Sequence, residues 1–160
     1  MSRKPYRVGR SKTGLGLFAT DVIKRGTFIA EYRGRRLTNE EADEREKRYA
    51  NRYMFEINSR WTVDGWSKRN TARYLNHSCR PNAESDVLRG GRIVIRAIRT
   101  IRPGDEITYH YGRDYFETFI KPIGCKCVKC VEKRREERKA RRRAAMRRKR
   151  RAARLNGSAP

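Results

Sequence analysis

The cysteines constrain this chain more than any other feature. The 160 residues contain four. Three stand within six residues, Cys125-Lys126-Cys127-Val128-Lys129-Cys130, and the fourth, Cys79, lies in Asn76-His77-Ser78-Cys79-Arg80-Pro81-Asn82. In a reducing compartment, Cys-x-Cys-x-x-Cys reads as a metal site before it reads as disulfides. A structural zinc takes four soft ligands in a tetrahedron, and Cys79 is the remaining thiol. The count therefore predicts one structural zinc ion held by Cys79, Cys125, Cys127 and Cys130, closed to catalytic water. The alternative is free thiols or a labile disulfide within the cluster. If zinc is bound, the fold must carry the Asn-His-Ser-Cys loop to the C-terminal segment. Losing a ligand should then release residues 113–130, because metal binding is folding energy.

Charge sets the second constraint. The net charge is +24. Residues 131–160 hold 14 Lys or Arg against three Glu, a net of +11, and residues 1–130 hold the other 28 basic and 15 acidic residues, a net of +13. Such a chain favours a polyanionic partner, most simply nucleic acid. Met1 to Arg10 is polar and basic with no apolar stretch after it, so no secretory signal is expected. No segment approaches the roughly 20 apolar residues of a membrane span, so no membrane partner is expected. The protein is expected to be soluble and intracellular.

Short strand candidates broken by turns dominate the first 112 residues. Tyr6-Arg7-Val8, Gly16 to Ala19 and Thr27 to Tyr32 come first, with a turn at Lys24-Arg25-Gly26. Thr38 to Arg52 is the clearest helix. Thr38 and Glu41 form a capping box, and Glu41–Arg45, Asp43–Lys47 and Glu44–Arg48 are acid-first i,i+4 pairs. Tyr53 to Ile57 and Trp61 to Asp64 return to strand. Asn70 is placed to cap a short helical turn running to Leu75. Asn82–Leu88 and Arg92–Ile98 make a hairpin around Gly90-Gly91. Arg102 to Asp105 turns into a strand at Glu106–Tyr109. The class is mainly β, but pattern alone does not separate sandwich from barrel. From Val131 the chain is Arg, Lys and Ala with no apolar stripe to bury, so a disordered or conditionally helical tail is expected, frayed at Gly157-Ser158-Ala159-Pro160.

Four motifs then occur in a telling order. Lys12-Thr13-Gly14-Leu15-Gly16-Leu17-Phe18 is followed by Glu31-Tyr32-Arg33-Gly34, by Asn76 to Asn82, and by Glu106-Ile107-Thr108-Tyr109-His110-Tyr111-Gly112. The ordered set, with the cysteine cluster after it, resembles the SET-domain protein-lysine methyltransferases with a post-SET zinc-binding segment. The resemblance covers residues 5 to about 130. It implies a SET fold of several short-stranded sheets with a pseudoknot at 5–112, a zinc-stapled post-SET segment at 113–130 and a basic tail at 131–160.

The resemblance also implies a chemistry. A methyl group passes in line from S-adenosylmethionine to a neutral lysine amine in a water-poor channel, so positioning and desolvation are what the protein supplies. By resemblance, Tyr111 is the catalytic tyrosine, and Tyr109, on the same face, tunes how many methyls are added. Tyrosine there implies mono- or dimethylation. Lys12, Gly14, Leu15, Gly16, Tyr53, Arg73, Asn76 and His77 are the expected cofactor-binding residues, with Gly14 and Gly16 letting backbone approach the cofactor. Each has a plainer reading: a strand turn for the glycines, a half-buried aromatic for Tyr53, a structural histidine for His77, a core tyrosine for Tyr111. Tyr115, Phe116 and Phe119 are lid candidates or simple anchors of the post-SET segment. Two departures stand out. His110 occupies a position usually held by Asp, and the last two cysteines are spaced by two residues where many members have four.

The expected substrate is a lysine of a histone, histone-like or other nucleic-acid-associated protein, with nucleic acid held through the 131–155 tail. Basic substrate tails prefer acidic grooves, and Glu31, Asp64, Asp86 and Asp114 are candidates for such a patch. Tail lysines Lys133, Lys139 and Lys149 are candidates for automethylation. The competing classes are a silent zinc-stapled nucleic-acid-binding module and a methyltransferase for a ribosomal or other non-chromatin protein. A compact chain with an Arg/Ala-rich tail favours a bacterial member, in cytoplasm or nucleoid, with a nucleus (its own or a host's) as the alternative.

Overall fold

The structure, a computed structural model, describes residues 4–49 and 52–156, with side chains as far as Arg154. The expected fraying at 157–160 lies outside the described residues. The chain divides into two compact units, one up to Arg113 and one from Asp114 onward.

Among the described residues, the first unit forms three small sheets. Strands β1 (Tyr6–Ser11) and β2 (Gly14–Ala19) form a hairpin, and β3 (Phe28–Tyr32) and β4 (Arg35–Thr38) follow. Helix α1 (Asn39–Tyr49) comes next, then β5 (Met54–Glu56), β6 (Trp61–Asp64), a 3₁₀ turn at Thr71–Tyr74 and β7 (Asn76–His77). The unit closes with β8 (Ala83–Val87), β9 (Ile93–Ala97) and β10 (Glu106–Tyr109). The sheets run β1-β2-β10-β7, β3-β9-β8 and β4-β6-β5. The class is mainly β, as the sequence indicates, and the many small sheets make it neither one sandwich nor one barrel.

Local chemistry accounts for most element boundaries. The Thr38 hydroxyl accepts from the Glu41 amide at 3.2 Å while the Glu41 carboxylate accepts from the Thr38 amide at 2.9 Å, so the capping box forms and starts α1. The helix ends by Tyr49, and residues 50 and 51 lie outside the described residues. The β8–β9 hairpin turns through Gly90 and Gly91, both at positive φ. Strand β9 is buried at three consecutive residues, Ile93 to Ile95, because β3 and β8 flank it and both faces are covered. The core gathers Leu17, Ile23, Ile95, Ile101 and Ile107, all essentially inaccessible to solvent.

Some expectations fail for physical reasons. Asn70 does not cap the 3₁₀ turn with its side chain. Its amide accepts from the Arg33 N–H and donates to the Gly65 carbonyl, tying two loops instead. Strands β4 and β7 carry no β pattern of their own. Arg35-Arg36-Leu37-Thr38 is a strand because β6 pairs with it, and Asn76-His77 because β10 does.

A short helix, α2 (Arg113–Tyr115), begins at the last residue of the first unit, and the second unit goes on with a π turn at Phe116–Ile120 and then α3 (Val128–Asn156). Within the described residues, the tail to Asn156 is helical in this structure. Propensity explains it: no Gly or Pro occurs between Val128 and Asn156, and Arg, Lys, Ala, Met and Glu are strong helix formers. The pair Lys133–Glu137, at i,i+4, adds a little near its start. Among the described residues, no helix is long and apolar enough to cross a membrane.

Candidate functional site

The glycine motif is built around a missing side chain. The turn Lys12-Thr13 joins β1 to β2 and leaves Lys12 exposed. Gly14 has φ +117°, a conformation that L side chains rarely adopt, with open space where a Cβ would stand. At Gly16 the space is taken: a Cβ there would lie 2.5 Å from Glu106 Oε1 and 3.1 Å from Asn76 Nδ2. These two atoms bond each other at 2.7 Å, and Asn76 Nδ2 also donates to the Leu15 carbonyl at 3.0 Å. Leu15, Gly16 and Asn76 are therefore brought together, with Glu106 as the knot. Sequence reading placed Glu106 in the motif but gave it no role. Its signal was its position at the head of the Glu-Ile-Thr-Tyr strand.

The parallel pair β7–β10 sets Asn76 beside Thr108 and His77 beside Tyr109. Asn82 locks the far end: its side chain accepts from the Thr108 N–H at 2.8 Å and donates to the Glu106 carbonyl at 2.8 Å. The strand then delivers its tyrosines. Tyr109 is buried, and its ring centroid is 4.9 Å from that of Tyr111, so the two share one side as expected. The Tyr111 hydroxyl donates to the Leu75 carbonyl at 2.6 Å, and its N–H donates to His77 Nδ1 at 3.3 Å.

His77 braces the strand end that carries Tyr111. Because Nδ1 accepts from Tyr111, the ring proton belongs on Nε2, which lies 3.3 Å from Cys79 Sγ. Burial, and then the neighbouring His110, push its pKa down to about 4, so the ring is neutral. His110 packs edge-on against His77 at 4.7 Å, and its Nδ1 accepts from the Gly112 N–H. His110 thus braces Gly112 through its own ring.

Tyr53 and Arg73 meet directly. The Arg73 guanidinium lies 3.9 Å over the Tyr53 ring and 5.5 Å from that of Trp66, and it donates to the Trp66 carbonyl. Tyr53 and Trp66 stack edge to face at 5.7 Å. Arg73 Nε is buried and, among the described residues, has no hydrogen-bond acceptor. Sequence reading missed Trp66, which is half exposed beside this group. The Tyr53 carbonyl accepts from both the Tyr32 hydroxyl and the Gly65 N–H at 2.8 Å.

Two of the acidic candidates, Asp64 and Glu31, are engaged by arginines. Asp64 is buried; one carboxylate oxygen pairs with Arg45 Nε at 2.7 Å and the other accepts from the Trp66 N–H. Arg45 therefore serves Asp64, and α1, which looked like a bare solvated face, holds the turn that carries Trp66. Glu31 is bridged by Arg33 and Arg92, whose hydrogen bonds hold its carboxyl below the usual range.

The four cysteines place their sulfurs within 4.8 Å of one another, and the group could hold a metal ion. Tetrahedral zinc with bonds of about 2.3 Å sets sulfurs about 3.8 Å apart, so the set fits with a small contraction. Around them, the Val131 N–H donates to the Cys127 carbonyl and Arg134 donates to the Cys125 carbonyl at 2.6 Å. The start of α3 is thereby tied to the cysteine segment.

Comparison with known sequences settles the family. The profile of the SET domain matches residues 14–112, the span holding both tyrosines, the Asn-His pair and the glycine loop.

The chain belongs to the SET-domain family.

It is 39% identical over 121 residues to histone-lysine N-methyltransferase 2D of Homo sapiens, covering 71% of this chain and 2% of that protein. Histone-lysine N-methyltransferase set1 of Dictyostelium discoideum is also 39% identical, over 72% of this chain and 8% of its own length. The H3 lysine-4 specific enzyme of Saccharomyces cerevisiae is 34% identical, over 78% and 12%. This SET domain thus spans a small fraction of each relative. Among solved structures, ctPRC2 in an autoinhibited conformation bound to S-adenosylmethionine is similar with a TM-score of 0.63 and 31% identity, covering 69% of this chain and 15% of that one.

Proposed function

We propose that this SET domain is an S-adenosylmethionine-dependent protein-lysine N-methyltransferase acting on a histone, histone-like or other nucleic-acid-associated protein. The carrying observation is the Tyr111–Leu75 bond. With its proton given to a carbonyl, the phenol oxygen presents lone pairs outward, where they can accept from a lysine amine and from a polarised methyl C–H. The naming of its relatives as histone-lysine N-methyltransferases supports the reaction class.

The residues present fit the methyl donor. Arg73 Nε is a buried donor beside two aromatic rings, lacking an acceptor among the described residues. An amino-acid carboxylate would supply the acceptor. When bound, the donor supplies a methyl on a positively charged sulfonium. Gly14 and Leu15 offer open backbone, Lys12 a nearby cation, Tyr53 a ring face, and Asn76 and His77 main-chain and side-chain polar groups. Tyr109 and Tyr111 orient the amine, and the surrounding burial favours its uncharged form. The Tyr109 hydroxyl limits room at the amine, which argues for mono- or dimethylation.

Zinc on Cys79, Cys125, Cys127 and Cys130 has a structural role in this reading. The target lysine lies on a protein that sits on nucleic acid, which matches a chain whose own charge repels basic tails but whose 131–155 segment attracts phosphate. The compartment is the one that holds such proteins, bacterial cytoplasm or nucleoid first and a nucleus second. The test is transfer of labelled methyl from S-adenosylmethionine to histones and to bacterial DNA-binding proteins, beside Tyr111→Phe. Label on a protein band that falls with the variant is expected. Absence of donor binding by folded, zinc-loaded protein would overturn the reading.

A further inference from the structure

Helix α3 carries a charge pattern that methyl transfer does not use. From Arg138 to Arg154 it holds eleven Lys or Arg and no acidic or aromatic residue, and every side chain there is exposed. At about 100° of turn per residue, Lys139, Arg143, Arg147, Arg150 and Arg154 fall within about 80° of the circumference. They form one stripe about 22 Å long, with neighbours three or four residues apart. The opposite side is sparser in charge: Arg138, Arg141 and Arg148 stand there with Ala145 and Ala152.

We propose that α3 docks as a formed helix on double-stranded DNA, lying in the major groove with this stripe against the phosphates of one strand. The dimensions agree, since a helix is about 10–12 Å across and the B-form major groove about 12 Å wide. The A-form major groove is deep and narrow, which disfavours duplex RNA. Single strands are held by stacking on aromatic rings, and this stretch has none. It also lacks Asn and Gln, so base readout is slight and binding tolerates sequence. The inference refines the nucleic-acid partner named above and is independent of methyl transfer, because a catalytically dead protein would still bind.

The test uses the full chain and a labelled DNA duplex of about 24 base pairs, read by fluorescence anisotropy across salt concentrations. Duplex RNA and single-stranded DNA of equal length are run beside it. Five phosphate contacts predict a log–log salt slope of about −4.5. Duplex DNA should bind at least about tenfold more tightly than either competitor. Arg143, Arg147 and Arg150, all changed to Gln, should weaken binding at least about tenfold more than the same change at Arg141, Arg148 and Arg151. Circular dichroism checks that both variants keep the helix. Equal losses from the two triple variants would show a diffuse cationic tail and overturn the docked helix. Equal or tighter binding to RNA or single strands, or the lack of salt-dependent binding, would overturn the choice of partner.

Discussion

The hydroxyl of Tyr111 donates to the main-chain carbonyl of Leu75 at 2.6 Å, so the last tyrosine of one motif is anchored on the residue that precedes the Asn-His pair of the other. Tyr111→Phe removes this bond and keeps the ring contacts with Tyr109 and His77. The expected stability cost is about 1 kcal/mol, the net worth of one hydrogen bond. Methyl transfer should fall far more, by about 10²-fold or greater, as when one preorganised polar group is lost from an active site. Thermal melting and single-turnover labelling measure the two effects separately. A large fall in melting temperature with an equal fall in activity would make Tyr111 a core residue only.

Gly16 leaves room for the Asn76–Glu106 bond. A Cβ at Gly16 would stand 2.5 Å from Glu106 Oε1, closer than real contacts allow. Gly16→Ala should therefore destabilise by about 1–3 kcal/mol, the range for overpacking, and weaken donor binding. Adding Glu106→Ala removes the obstructing oxygen, so the double variant should recover at least about 0.5 kcal/mol relative to additivity. Chemical denaturation of the four proteins of the cycle measures this. Strict additivity would mean that the clash is relieved elsewhere.

Much of this site was legible because its signals are short-range. The capping box of α1, the turn at Arg102–Asp105 and the Gly90-Gly91 hairpin each follow from local rules, and the motifs named both tyrosines, the Asn-His pair and the cysteine set. What was not legible depends on partners far along the chain. Arg45 satisfied the i,i+4 pattern with Glu41, yet it pairs with Asp64, because a buried carboxylate attracts a cation more strongly than a solvated one. Strand β4 is Arg-rich and exists through pairing with β6. The helicity of α3 was the closer contest, between high propensity and like-charge repulsion, and propensity prevails in this structure.

Arg45 and Asp64 predict a positioning effect on the Tyr53–Arg73 group. Asp64 holds the Trp66 N–H with its second oxygen, and the Trp66 carbonyl receives Arg73. Arg45→Met leaves a buried carboxylate without this partner. A fully buried pair broken this way costs about 3–5 kcal/mol, but Arg45 is 39% exposed, so solvent screening reduces the expectation to about 1–2 kcal/mol. Donor affinity should fall while the transfer rate at saturating donor changes little. Titration of donor binding by Trp66 fluorescence, with Trp61→Phe as background, reads this. An unchanged affinity would confine Arg45 to stability.

Tyr109 predicts the product distribution. Its ring is buried against Tyr111. Tyr109→Phe deletes one hydroxyl and leaves room beside the amine. The products should shift toward higher methylation states, with mass spectrometry of a substrate peptide as the readout. An unchanged ratio of mono-, di- and trimethyl lysine would place the hydroxyl away from the amine.

The cysteine set predicts a metal-dependent start to α3. One zinc per chain is expected by elemental analysis, and Cys127→Ala should abolish it, since three thiolates and no fourth ligand close a structural site poorly. The Val131 N–H bonds the Cys127 carbonyl and Arg134 bonds that of Cys125, so the first turns of the helix lean on the segment that the metal would hold. Chelation should lower the helical circular dichroism signal of the native protein and leave that of the Cys127→Ala variant unchanged. Because thiols must lose their protons to bind, the metal should also be released as pH falls. The core around Ile95 and Ile107 lies in the first unit, so a cooperative melt of that unit should survive chelation. Loss of the whole melt would instead mean that the SET fold itself rests on the metal.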